Sequence, residues 1–164
     1  MSNIVVADAA PLHYLILIDS ATLLERLFER VLAPIAVRDE LLHGNAPKVV
    51  QDWIRSPRPW LQFRPVAQPL AIADIHRGEA EALQLALEIK AAAVLIDDLD
   101  GRAAAKNLGL STVGTIGILE RASEKSLIDL PTALAALRST SFFVSDEILD
   151  AALARARSRK GNSL

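Results

Sequence analysis

The apolar run Ala93-Val94-Leu95-Ile96 ends abruptly at the paired acids Asp97-Asp98. A continuous apolar run of strand length fits a strand buried on both faces, and such strands belong to parallel sheets covered by helices. Ile4-Val5-Val6-Ala7 repeats the arrangement near the start of the chain and stops at Asp8. Stretches of helical character separate these runs, so the expected fold is α/β, a three-layer α/β/α sandwich with a central, mostly parallel sheet joined by right-handed crossovers.

The remaining segments fill in this frame. Pro11 and the apolar residues after it predict a first helix, and Ser20 a cap for a second helix running to about Arg30. Val31 to Val37, with Pro34 inside it, predicts a short strand entering a helix that carries Arg38 to His43 and stops at Gly44. Pro47 opens a helix through Ile54, and Leu61 to Val66 reads as an edge strand. Glu79 to Lys90 predicts a strong helix, followed by the Ala93–Ile96 strand, a helix from about Gly101 to Leu108 and a short strand at Thr112-Val113. A helix from Gly114-Thr115 to about Glu124, then helices near Pro131–Leu137 and Asp146–Arg157, complete the chain. No repeat or boundary interrupts it, so residues 1–164 read as one domain. Arg155, Arg157, Arg159 and Lys160 read as a basic, frayed tail from about residue 155 that also offers contacts to RNA.

Composition limits the chemistry. The chain has no cysteine, which excludes disulfides, thiolate zinc sites and cysteine nucleophiles. Aromatics are only 4% of the residues, so the core is expected to consist of Leu, Ile, Val and Ala. The first residues carry no basic segment leading into an apolar run, and the most apolar later stretch, Leu12 to Leu24, is broken by His13, Asp19 and Ser20. The chain therefore reads as soluble and cytoplasmic, without a membrane span. Its formal charge of −2 exerts no global pull on nucleic acid, leaving that to a local basic rim or bound metal.

In open parallel sheets, ligands bind beyond the carboxyl ends of the strands, which singles out Asp8 and Asp97-Asp98. Asp8 also reads as a helix cap, as does Asp98, but adjacent carboxylates at a strand end repel one another unless a cation or solvent relieves them. On the following helix, Ala82, Leu83, Ala86, Leu87 and Ile89 define an apolar arc with Glu79 near its middle, while Glu81, Gln84 and Glu88 project toward solvent. Glu79 reads either as a carboxylate compensated by a cation or as a first-turn partner of the helix dipole. Periodicity leaves Glu40 undecided. Convergence of Asp8, Glu40, Glu79 and Asp97 or Asp98 would supply the hard oxygen donors that suit Mg²⁺ or Mn²⁺ rather than zinc. His13, His43 and His76 lie in separate segments with no pairing interval and read as structural or exposed. No nucleophile elbow, phosphate loop or dinucleotide fingerprint occurs.

The segments Val5–Leu12, Val37–Leu41, Gly78–Leu83, Leu95–Asp98 with Arg102, and Gly114–Gly117 resemble, in order and spacing, the PIN-domain family, and within it a small prokaryotic subgroup related to VapC-like toxins. The resemblance spans roughly residues 4 to 145. It implies a Mg²⁺- or Mn²⁺-dependent ribonuclease acting on single-stranded RNA, frequent homodimerisation, and an antitoxin partner where the protein is a toxin. It assigns catalysis to Asp8, Glu40, Glu79, Asp97 and Asp98, with metal on Asp8, Glu79 and Asp97 or Asp98. Thr115 corresponds to the family's polar residue near the site and Arg102 to its basic neighbour. Ala10 departs from the pattern, since a serine or threonine commonly stands two residues after the first Asp. That departure favours the alternative of a non-catalytic RNA- or protein-binding module. A lesser alternative is a haloacid-dehalogenase-type phosphatase, suggested by Asp98-Leu99-Asp100-Gly101, although that motif ordinarily follows a first strand.

Overall fold

The computed structural model describes residues 2–162. In chain order the elements are β1 (Ile4–Ala7), α1 (Ala9–Leu17), α2 (Leu23–Leu27), β2 (Arg30–Pro34), α3 (Ile35–Leu42), α4 (Lys48–Arg55), β3 (Leu61–Arg64), α5 (Arg77–Ile89), β4 (Ala93–Leu95), α6 (Leu99–Asn107), β5 (Thr112–Val113), α7 (Thr115–Glu124), α8 (Leu130–Arg138) and α9 (Asp146–Asn162). The strands form one parallel sheet in the order β3-β2-β1-β4-β5, and the fold is the expected α/β/α type. No helix among the described residues is long and apolar enough to cross a membrane.

The apolar runs form strands because both of their faces are buried. Val6 pairs in register with Leu32 and Val94. Together with Ala82, Leu83, Leu85 and Ala86 of α5 and Ala104 and Ala105 of α6, these residues build one core. Val5, Val31 and Leu95 point the other way and are equally enclosed. Burying a leucine such as Leu83 stabilises a fold by about 2–3 kcal/mol, and truncating it to alanine costs about 2–5 kcal/mol.

The second helix differs from the sequence reading at both ends. The second helix ends at Leu27 rather than near Arg30, and Ser20 does not cap it. Its hydroxyl donates instead to the Ile18 carbonyl. Arg30 joins β2 because it pairs with Ile4, and the preceding Glu29 N–H donates to the Asn3 carbonyl. Sheet hydrogen bonds to a distant segment outweigh local helical preference there.

The described residues fall into two compact units, one extending to Thr115 and one beginning at Ile116. The first contains the sheet. In the second, α8 packs on α9, and Asp129 caps α8 by accepting from the Thr132 N–H. The tail expected to fray from about 155 is helical through Asn162. Ion pairs Arg155–Glu120 at 2.7 Å and Arg159–Glu124 at 3.3 Å tie it to α7, and they hold its basic residues close to partners of the same unit.

Candidate active site

The sheet order places a topological switch beside β1, since the chain passes from β1 outward to β2 and β3 and then returns to β4 on the other side. Crevices form above such points. Asp8 follows β1, and its N–H donates to the Leu95 carbonyl of β4 at 2.9 Å, which fixes it over the paired strand ends. Asp98 follows β4 and caps α6, accepting from the Asp100 and Gly101 N–H groups. The Asp98-Leu99-Asp100-Gly101 sequence thus has a local explanation as a capping turn.

Asp8, Glu40, Glu79 and Asp98, drawn from four separate segments, line one pocket of about 520 Å³. Asp8 and Glu79 are buried at 3% and 4% exposure, whereas Glu40 and Asp98 are exposed. The Asp8 Oδ1 atom is buried without a hydrogen-bond partner. Burial raises the Asp8 carboxyl to about 6, opposed by the Ala9 N–H and His76 and reinforced by the charges of Glu40 and Asp97. Burial likewise raises Glu79 to about 7, opposed by His76 and reinforced by Asp8, Asp98 and Glu40. Gathering these carboxyls in one pocket thus disfavours their charged forms, a cost that a proton or a cation offsets.

Asp97, Thr115 and Arg102 form a separate corner that contributes nothing to the lining of this pocket. Asp97 Oδ1 accepts the Thr115 N–H at 2.7 Å and Oδ2 accepts the Thr115 hydroxyl at 2.6 Å. Burial still raises the Asp97 carboxyl, opposed by these two bonds and by Arg102. Gly114 is required here by close approach, because a Cβ would stand 2.9 Å from Asp97 Oδ1 and 3.0 Å from Arg102 Nη1. Gly101 is constrained in the same way, since a Cβ would meet Ile96 Cδ1 at 2.5 Å and approach the Glu79 carboxyl carbon at 3.5 Å.

His43 and His76 are exposed and His13 half-buried, as the sequence reading allows, but the three are brought closer together than their separate segments suggest. His13, His43 and His76, the chain's full complement, all line the acidic pocket. His76 Nε2 lies 3.1 Å from Glu79 Oε1, and the His43 Nδ1 accepts the Asn45 N–H. Burial lowers the His13 pKa against the opposing charge of Glu40. One signal for His76 was readable, its i,i+3 spacing from Glu79, which brings side chains together at a helix start. His13 and His43 reach the pocket only through tertiary packing. Glu81 departs from the sequence reading. It was expected in solvent but is 2% exposed, because α5 is enclosed on nearly every side by β1, β2, β4, α3 and α6, which a single-face projection does not anticipate.

A PIN-domain family model, DUF3368, matches residues 4–158, and the chain belongs to that PIN-domain family. Among solved structures, the fold is similar to a PilT N-terminus domain protein from the hyperthermophilic archaeon Sulfolobus solfataricus P2. That likeness has a TM-score of 0.51 at 14% identity and covers 87% of this chain and 99% of the other. No curated protein matches. PIN domains are generally nucleases that use divalent metal ions, and they often bind RNA.

The donor set fits such an ion. Its oxygens are hard ligands, and the unpartnered Asp8 Oδ1 is a buried acceptor in need of positive charge. As the side chains stand, no group of three His, Cys, Asp or Glu residues among those described closes into an arrangement that would hold an ion.

Proposed function

We propose that the protein is a cytoplasmic endoribonuclease that hydrolyses phosphodiester bonds of single-stranded RNA with Mg²⁺ or Mn²⁺. The observation that carries this reading is Asp8, a buried carboxylate with an unpartnered oxygen in a pocket shared with Glu40, Glu79 and Asp98. Asp8, Glu79 and Asp98 would hold the ion, drawn inward once its charge offsets their repulsion. When bound, a divalent ion supplies Lewis-acid polarisation of a phosphoryl oxygen and lowers the pKa of a nucleophilic water.

The chain's own groups have distinct tasks. The Asp8 backbone is held at the strand ends by its N–H bond to the Leu95 carbonyl, which sets its carboxylate at the pocket. Glu40, exposed at the pocket wall, is the carboxylate that takes a proton from the attacking water. Asp97, with both oxygens on Thr115, secures the start of α7 beside the site, and Arg102 offsets its charge. Partners that accompany this reading are single-stranded RNA, a second copy of the chain and, if the protein is a toxin, an antitoxin.

The test is cleavage of a labelled single-stranded RNA by purified protein. Activity requiring Mn²⁺ or Mg²⁺, abolished by EDTA and by Asp8→Asn, is the expected result, and cleavage insensitive to both overturns the proposal. Ala10, which lines the pocket without a hydroxyl, favours a second reading, the non-catalytic binding module. RNA or protein binding with no uptake of Mn²⁺ by titration would establish that reading instead.

A further inference from the structure

A second cavity, of about 500 Å³, lies beyond the carboxyl ends of β2 and β3 and is lined by residues that include Asp39, Glu40, Pro65, His76, Arg77 and Glu81. It shares Glu40 and His76 with the acidic pocket, so the two adjoin along the strand ends. An extended polyanion crossing this edge of the sheet would pass from one to the other.

The pair at its wall is unusual for two residues on one helix. The Glu81 side chain is only 3% exposed, yet its partner Arg77 is 80% exposed, with Nε 3.0 Å from Glu81 Oε1. An ordinary i,i+4 pair is solvated at both ends and contributes little. This one also runs against the helix dipole, with the cation in the first turn and the anion downstream, so helix stability does not account for it. The buried carboxylate grips the guanidinium through Nε alone. Nη1 and Nη2 make no hydrogen bond among the described residues, which leaves a planar fork free at the cavity.

We propose that Arg77 is a phosphate-binding residue, oriented by Glu81, that receives a phosphodiester of the RNA strand next to the one held in the acidic pocket. The assignment rests on the ribonuclease reading above. A site built from Asp8, Glu40, Glu79 and Asp98 repels its own polyanionic substrate, and a fixed guanidinium beside it offsets that repulsion with two directed hydrogen bonds. Asp39 rims the same cavity but lies 3.6 Å from the Arg38 guanidinium, which partly meets its charge.

The experiment measures affinity for a fluorescent single-stranded RNA across a KCl series, together with KM and kcat for its cleavage in Mn²⁺. In Arg77→Ala, affinity falls about tenfold and the slope of log affinity against log salt shrinks by about 0.7, the contribution of one single-strand phosphate. The cleavage defect is expected in KM, and Mn²⁺ affinity stays at the wild-type value. Arg77→Lys retains the slope but loses about threefold in affinity, since charge survives and the fork does not. A wild-type protein that binds and cleaves RNA, with Arg77→Ala matching it in slope and KM, overturns the phosphate assignment and leaves the nuclease intact. A wild-type protein that neither binds nor cleaves RNA overturns both.

Discussion

Asp8 and Asp97 stand at equivalent places, each one or two residues past a central parallel strand, and β1 and β4 are direct neighbours. Their surroundings are opposite. Asp97 has both oxygens bonded to Thr115, whereas Asp8 keeps one oxygen buried and unpartnered in a pocket lined by three other carboxylates. Position at a strand end therefore does not by itself leave a carboxylate unpartnered; what decides is whether the surrounding structure has already bonded it. Asp97 is tied to the start of α7, and Asp8 keeps a buried oxygen that a cation would satisfy under the proposed function.

The sharpest way to break this comparison is to remove the charge at each position. Asp8→Asn is expected to lower Mn²⁺-dependent RNA cleavage by roughly a thousandfold, corresponding to about 4 kcal/mol in the barrier. Asp97→Asn is expected to lose less than about tenfold in kcat while lowering the melting temperature. Equal losses in the two single-turnover rates would dissolve the distinction.

Stability against pH comes next in size. The Asp8 carboxyl is raised in the folded protein from 3.8 to about 6, so folding favours its protonated form. Its contribution to stability is complete below pH 3.8 and lost as pH rises through about 6, a change of roughly 3 kcal/mol for the cation-free protein. Urea midpoints should fall across that window in EDTA, and Asp8→Asn should flatten the decline. Mn²⁺ should restore more stability at pH 7.5 than at pH 5, because the ion needs the deprotonated carboxylates. A wild-type profile unchanged by Asp8→Asn would show that the unpartnered oxygen is not the source of strain.

The paired corner has its own test. Thr115→Val leaves Asp97 Oδ2 without its hydroxyl donor and is expected to cost about 1–3 kcal/mol in chemical denaturation, with a smaller effect on metal affinity. Gly114→Ala should cost a similar 1–3 kcal/mol, since the new methyl meets Asp97 and Arg102. Smallest of all is the melting-temperature shift expected for Arg155→Ala in the second unit, which removes a two-point ion pair with Glu120 whose arginine lies at the surface. A larger loss there would mark α9 as structurally more important than its surface pairs suggest.

Much of the fold was legible in the residues. Ala93–Leu95 and Ile4–Ala7 are strands because uninterrupted apolar side chains fit a position enclosed on both faces, and Gly109 ends α6 with a φ of 76° that glycine adopts readily. Glu79 was legible too, as an acid on an apolar arc, and it is buried. Glu81 was not, because the helical projection counts one buried face and α5 has more. The shared pocket of the histidines was not legible for a different reason. His13, His43 and His76 are separated by tens of residues, and only the packing of α1 and the ends of α3 and α5 beyond the carboxyl ends of the strands brings them to one pocket.

Local pattern alone thus determined the alternation of strand and helix, a mostly parallel sheet and the acids that follow its strands, since apolar periodicity and hydrogen-bonding needs act over a few residues. Only the tertiary structure decided which acids are hydrogen-bonded and which keep a buried oxygen unpartnered, which histidines share their pocket, and how a buried Glu81 comes to pair with Arg77. Those outcomes depend on desolvation and on charges brought together from distant segments, and no short stretch of sequence encodes the distance between them.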